Sequence, residues 1–140
     1  MNSLLQPNPS IPCKPFDGLV VVELGHSVAA PFAGHILSEM GARVIKIEKL
    51  EGDDARKWGP PFWEGAAALF QTLNRNKSSV VCNFRDPTEL AAVKSFIQAE
   101  AHVVLQNLRR GQVEKLGIDG PTLLASKPEL IYCNLGAFGN

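Results

Sequence analysis

The sequence has few cysteines, few aromatic residues and no excess of charge of either sign. Its three cysteines, Cys13, Cys82 and Cys133, lie far apart without CxxC spacing, which argues against a disulfide framework and against a zinc site. Acidic and basic residues balance to a formal charge of zero, so no global field favours nucleic acid or an anionic membrane surface. No apolar run approaches the length of a membrane span. These absences favour a soluble protein in the reducing cytoplasm.

The amino-terminal segment lacks the features of a targeting sequence. Residues 1–15 contain four prolines, no cationic stretch and no long apolar stretch, so they do not have the pattern of a signal peptide. We interpret them as a flexible tail. The rest of the chain, 16–140, has the length and apolar content of a single domain with one core.

Strand-like and helix-like segments alternate through this domain. Short β-branched runs predict strands over 19–24, 44–48, 79–84, 102–105 and 130–135. Apolar residues at helical spacing predict helices over 31–40, 66–73, 87–97, 112–116 and 121–126, and the glycine- and proline-rich segment 50–64 is predicted to be an ordered loop. The connections within 19–48 are short enough to require a parallel crossover. The pattern predicts an α/β, Rossmann-like domain, mainly parallel, with helices on both faces.

The start of the longest predicted helix and the end of the chain carry signals of their own. Asp86 is placed as an N-cap, with Pro87 at the first helical position and Glu89 at capping-box spacing. The sequence ends in a glycine-rich turn, 136–139, directly after a strand, where a doubly wound domain would continue. We therefore interpret 16–140 as the amino-terminal part of a larger domain.

Polar and basic residues follow the predicted strands. In parallel sheets the ligand crevice lies at the carboxyl ends of the strands, so these residues should meet at one edge. They are His26, Ser27, Lys49, Arg85, Asn107, Arg109, Arg110 and Lys115. Cations gathered in this way suit the phosphates of a nucleotide. The alternative is that they are solvated loop charges, the usual situation for lysine and arginine.

A dinucleotide-binding site is a second interpretation of the first strand–helix–strand unit. Gly25 lies in the turn before the helix, and Glu48 ends the second strand where a ribose-binding acid would stand. The fingerprint is incomplete, because only the first of its three glycines is present and Pro31 stiffens the loop. His35 and His102 are interpreted as structural, and Cys82 and Cys133 as small buried residues within strands.

Several segments, in order, resemble family III coenzyme A transferases. They are FDGLVVVEL (16–24), APFA (30–33), MGARVIKIE (40–48), GDDAR (52–56), WGPP (58–61), LNRNKS (73–78), DP (86–87), 111–117, LIYC (130–133) and GAFG (136–139). The resemblance covers nearly all of the chain after the tail. It implies an enzyme that moves coenzyme A (CoA) between carboxylic acids, with acyl-CoA and a carboxylic acid as substrates, no covalently bound cofactor, and an interlinked homodimer.

The resemblance also implies a mechanism. An aspartate carboxylate attacks the acyl thioester and forms a mixed anhydride and then an enzyme-bound thioester. This aspartate should follow Asn140, so the chain is expected to hold the CoA-binding half of the site, without a catalytic residue, and to be inactive alone. Two alternatives stay open: part of a 2-methylacyl-CoA racemase, although the GDDARKWGPP loop favours a transferase, and a non-catalytic folded remnant.

The resemblance assigns CoA contacts residue by residue. They fall at His26, Ser27, Val28, Lys49, Cys82, Arg85, Asn107 and Lys115. Val28 replaces a glutamine found in some members, which removes a polar side chain near the thioester. Lys49 and Lys115 stand where some members have arginine, and lysine keeps the charge but loses the bidentate fork.

Overall fold

A computed structural model describes residues 14–137 of the protein. Of the predicted tail, only Lys14 and Pro15 fall in this range, and the remainder lies outside the described residues. The last residues of the glycine-rich turn, 138–140, also lie outside it. None of the helices within 14–137 combines the length and apolar character that a membrane crossing requires.

The described chain alternates strands and helices. The strands are β1 (Val20–Leu24), β2 (Arg43–Glu48), β3 (Phe62–Trp63), β4 (Ala66–Ala67), β5 (Lys77–Val81), β6 (Val103–Gln106) and β7 (Ile131–Asn134). The α-helices are α1 (Ala29–Glu39), α2 (Ala68–Asn74), α3 (Pro87–Glu100), α4 (Gln112–Leu116) and α5 (Gly120–Ser126), and a 3-10 helix spans Asp54–Lys57.

Five strands form one parallel sheet in the order β5-β2-β1-β6-β7. Every neighbouring pair in this sheet is parallel, which confirms the predicted Rossmann-like α/β fold. The chain first builds outward from β1 through β2 to β5, and then returns to the other side of β1 through β6 and β7. This reversal between β1 and β6 is the switch point at which doubly wound sheets bind ligands. Strands β3 and β4 form a separate antiparallel hairpin.

Helices cover both faces of the sheet, as predicted. Apolar residues of α3, α4 and α5, including Ile97 and Leu123, pack on one face against Val22, Ile45 and Val104. On the other face α1 packs against the central strands, and α2 lies beside α1.

Most predicted elements begin and end within three residues of the observed bounds, and three segments require a correction. The third strand covers Lys77–Val81 and not 79–84, because it pairs along the length of β2 and the chain turns after the Cys82 amide donates to the Glu48 carbonyl. The predicted loop 50–64 contains the 3-10 helix and β3, and the predicted helix 66–73 begins with the short strand β4. Strands β3 and β4 form a hairpin that the sequence pattern does not indicate.

Helix α3 begins as predicted, but without a complete capping box. The Asp86 carboxylate accepts hydrogen bonds from the backbone amides of Thr88 and Glu89, so Asp86 is the N-cap. The Glu89 carboxylate accepts from the Asn83 amide at 2.8 Å. It therefore secures the turn after β5 and does not bond back to the Asp86 amide.

Candidate functional site

A cavity of about 480 Å³ opens at the carboxyl ends of β1, β2 and β5, next to α4. Four of the predicted contact residues line it: His26, Lys49, Arg85 and Lys115. Apolar side chains form another part of the wall, namely Leu24, Phe84, Leu108 and Leu116. The cavity therefore combines an apolar surface with cations, which is the usual composition of a ligand site for a molecule with both kinds of group.

The other four predicted residues do not line this cavity. Cys82 lines a smaller space of about 230 Å³ that also borders Lys49 and Arg85. Ser27, Val28 and Asn107 line neither space. Val28 is 43% exposed and occupies the N-cap position of α1.

The cations of the cavity differ in how far their charge is balanced. Lys49 lies 2.7 Å from Asp54 in an exposed ion pair, and this hydrogen bond raises the pKa of Lys49. Within residues 14–137, Arg85 and Lys115 are in no ion pair. They are exposed and available to an anionic ligand.

The edge of the sheet where the cavity opens is less basic than the sequence indicates. Arg109 and Arg110 are exposed and do not line the cavity, whereas Glu48, Asp53 and Asp54 do. Glu48 ends β2, and Asp53 and Asp54 follow in the segment after it. Among the described residues, the positive charge at the cavity that no ion pair balances is therefore that of Arg85 and Lys115.

Asn107 fixes the loop that carries His26. Its side-chain oxygen accepts from the His26 amide, and its side-chain nitrogen donates to the His26 carbonyl, each at 2.9 Å. This pair of bonds ties the turn after β1 to the end of β6, across the switch point. Gly25 makes the close approach possible, because a Cβ there would overlap the side chain of Ala30 and crowd Asn107. Asn107 thus positions the loop and does not line the cavity.

Glu48 is part of a buried hydrogen-bond cluster at the end of β2. Arg56 donates to both carboxylate oxygens at 2.8 and 2.6 Å, Ser79 donates at 2.5 Å, and the Asp53 amide donates at 2.8 Å. Burial alone would raise the pKa of Glu48, but the hydrogen bonds from these donors outweigh it and lower the pKa to about 2. Four donors fill the acceptor sites of one carboxylate. Glu48 is therefore not available to the ribose of a dinucleotide.

A second cluster lies deeper, between β1, β2 and β5. Glu23 pairs with Lys46 at 2.9 Å and with Lys77 at 2.7 Å, and each of these side chains is 1% exposed or less. Lys46 also lies 2.8 Å from Asp53. Two acids and two lysines thus balance in charge beneath the loops that form the cavity.

These buried charges were not predicted, although the sequence contains a signal for them. VVVEL and VIKIE place Glu23, Lys46 and Glu48 in strands that are otherwise apolar. Since a central parallel strand is buried on both faces, a charged residue within it requires a partner of opposite sign. Asp53 lies in the loop after β2, yet it is only 3% exposed.

Cys82 is too buried to act through a thiolate. Its exposure is 2%, and burial raises the pKa of its thiol. The prediction that it lies within a strand is wrong, since it follows β5 by one residue. At neutral pH it can offer a ligand only the surface of a small apolar side chain.

Comparison with known proteins identifies the family. The family model described as CoA-transferase family III matches residues 16–140. The succinate–glutarate CoA-transferase of Agrobacterium fabrum is 42% identical over 132 residues, which cover 89% of this chain and 33% of that protein. The acetyl-CoA:oxalate CoA-transferase of Acetobacter aceti is 38% identical, over 97% of this chain and 35% of that protein.

A solved structure gives the same result. The crystal structure of a CAIB/BAIF family protein from Brucella suis superimposes with a TM-score of 0.81 at 45% identity, covering 86% of this chain and 33% of that one. The chain spans about a third of the length of the curated relatives it matches. The fold is similar to that of the Brucella suis protein, and the match of the family model over residues 16–140 shows that the chain belongs to CoA-transferase family III.

Proposed function

We propose that this chain carries the CoA-binding half of an enzyme that moves coenzyme A between carboxylic acids. The observation that carries the proposal is the cavity at the strand ends, with Arg85 and Lys115 beside an apolar wall. Guanidinium and ammonium groups bind phosphate oxygens through charge-assisted hydrogen bonds. The apolar wall suits the less polar parts of the same ligand. Relatives at 42% and 38% identity are named as CoA-transferases, which supports this choice of ligand.

The proposal includes the route through an aspartyl anhydride and an enzyme-bound thioester, with the nucleophilic aspartate beyond Asn140 and with the homodimer implied by the family. The acids at the cavity are poor candidates for that role. Glu48 accepts four hydrogen bonds, Asp53 is buried against Lys46, and Asp54 is paired with Lys49. We therefore expect the chain alone to bind CoA and to catalyse no transfer from an acyl-CoA to a free carboxylate.

Thermal unfolding with increasing CoA tests the binding proposal. A ligand present at about 100 times its Kd stabilises the folded state by about 2.7 kcal/mol, which for a chain of this size is a rise in Tm on the order of 10 °C. NAD and FAD serve as comparison ligands. We expect Tm to rise with CoA and to stay unchanged with NAD and FAD.

Substitutions locate the site within the same experiment. Arg85→Ala and Lys115→Ala should each reduce the rise, because each removes a cation from the cavity wall. Arg43→Ala is the matched control, since Arg43 is exposed at the start of β2, the opposite end of the strand. An absence of any rise would favour a folded remnant without a ligand, and a rise with NAD or FAD would favour the dinucleotide interpretation.

A further inference from the structure

The loop that brings His26 to the cavity contains a backbone conformation that requires support. Ser27 has a φ of 67°, in the left-handed region that residues other than glycine adopt uncommonly. Its amide donates to Asp53 Oδ1 at 2.9 Å. Asp53 belongs to the loop after β2, so this bond joins two neighbouring strand-end loops.

Four consecutive backbone groups of the loop are each held by a side chain. The Gly25 carbonyl accepts from Lys46 Nζ at 2.9 Å, and the His26 amide and carbonyl both bond to Asn107. The Ser27 amide, bonded to Asp53, is the fourth group. Since backbone groups in a loop can otherwise bond to water, such complete pairing fixes the path of the chain at His26.

Asp53 is itself fixed by its surroundings. Its Oδ1 also accepts from the Ala55 amide at 2.9 Å, and its own amide donates to Glu48. Its Oδ2 lies 2.8 Å from Lys46 Nζ, and both side chains are 1% exposed. Lys46 therefore contacts the loop after β1 at Gly25 and the loop after β2 at Asp53, and holds the two loops in one arrangement.

We infer that Asp53, supported by Lys46, is a positioning residue that sets the His26–Ser27 backbone for binding of the CoA moiety. This inference rests on the proposed function for the identity of the ligand. A carboxylate that only capped the 3-10 helix would bond to Ala55 and would not reach Ser27 in another loop. The hydrogen bond to Ser27 and the pairing with Lys46 are the features that distinguish positioning from capping.

Amide hydrogen exchange tests the positioning without any ligand. Asp53→Ala should increase the exchange rate of the Ser27 amide by about tenfold or more, because the bond that protects it is lost. Asp119→Ala is the matched control. Asp119 caps α5 by accepting from the Thr122 amide, so its loss destabilises a helix end but should leave Ser27 exchange unchanged. Asp53→Asn keeps an acceptor oxygen and should fall between wild type and Asp53→Ala.

Calorimetric titration with CoA tests the consequence for binding. We expect Asp53→Ala to weaken CoA binding about tenfold, Asp53→Asn to weaken it less, and Asp119→Ala to bind like wild type. Unchanged Ser27 exchange in Asp53→Ala, or unchanged affinity despite faster exchange, would overturn the inference. If Asp53→Ala does not fold, Asp53→Asn must show both effects for the inference to stand.

The two proposals can fail separately. A wild-type chain that binds no CoA would overturn the proposed function and, with it, the role in CoA binding. The exchange measurement would still decide whether Asp53 holds the loop. Conversely, CoA binding by wild type together with slow Ser27 exchange in Asp53→Ala would leave the function intact and exclude Asp53 as the positioning residue.

Discussion

Replacing Glu48 by glutamine should make the protein less stable in a strongly pH-dependent way. The Glu48 carboxylate is 1% exposed and accepts from Arg56, Ser79 and the Asp53 amide. Glutamine has nearly the same shape but carries no charge, and its NH₂ group takes the place of an oxygen that accepts from two donors. Glu48→Gln therefore removes the charge-assisted part of the cluster and sets an NH₂ group against two donors.

The expected magnitude follows from the lowered pKa. The difference between the ordinary value of 4.5 and about 2, at about 1.36 kcal/mol per pKa unit, corresponds to roughly 3 kcal/mol. Arg56 is 36% exposed, so solvent screens part of this interaction, and we expect about 2 kcal/mol at pH 7. Because the folded pKa lies below the unfolded one, this stability is present in full above pH 4.5 and is lost as the pH falls towards 2.

Urea unfolding of wild type and Glu48→Gln at pH 7, 4.5, 3.5 and 3 tests both the size and the sign. The difference in unfolding free energy should narrow from about 2 kcal/mol at pH 7 to about 1 kcal/mol or less at pH 3. Glu39→Gln is a matched control, because Glu39 also pairs with an arginine, Arg75, but on the surface. Its effect should be much smaller and should diminish with added salt.

Three results would contradict this reasoning. The first is wild-type stability of Glu48→Gln at pH 7, which would mean that the hydrogen bonds do not favour the charged form. The second is a difference that stays constant from pH 7 to pH 3, which would attribute the loss to packing and not to ionisation. An equal loss in Glu39→Gln would show that burial of the cluster is unimportant.

Three further substitutions or measurements test other parts of the structure. Gly34→Ala should destabilise the fold by about 1–3 kcal/mol in urea unfolding, because the added Cβ would overlap the buried Glu23 carboxylate. An unchanged free energy of unfolding would mean that α1 does not pack closely against Glu23. Asp86→Ala should lower the free energy of unfolding in urea by about 1 kcal/mol, because the N-cap of α3 is lost. An unchanged free energy would mean that this cap does not stabilise the fold. In a variant with Cys82 as its sole cysteine, the raised thiol pKa and 2% exposure predict slow reaction with a disulfide reagent until urea unfolds the chain; fast reaction of the folded protein would place Cys82 at the surface.

The sheet could be predicted because its signals are local. The β-branched runs give β1 and β2, and the short connection through α1 requires them to be parallel. The Asp86-Pro87 pair marks the start of α3 for reasons that hold in any sequence: a side-chain acceptor and a fixed φ. The β3–β4 hairpin was missed because each of its strands has two residues, too short for any alternation to be recognised.

The site was predicted only in part, because strand ends show which residues reach the edge but not which of them face the cavity. His26, Lys49, Arg85 and Lys115 line it. Asn107 reaches the same region, but its side chain bonds to the neighbouring loop backbone. Whether a side chain bonds to a neighbouring loop depends on the distance between loops that lie more than 80 positions apart in sequence. No local sequence pattern predicts that distance.

The buried charges explain why this end of the sheet departs from an ordinary apolar core. Replacing a buried ion pair by well-packed apolar residues is often neutral or stabilising, so stability alone gives no reason for Glu23 and Lys46 in central strands. Their location supplies a reason, because Lys46 contacts both the Gly25 carbonyl and Asp53, which belong to the two loops that border the cavity. An apolar side chain at 46 could pack beneath those loops but could not hold their backbone groups. We therefore expect the buried cluster of Glu23, Lys46, Lys77 and Asp53 to support the site. A Lys46→Met chain that stays folded but binds CoA as tightly as wild type would show that the cluster has no such role.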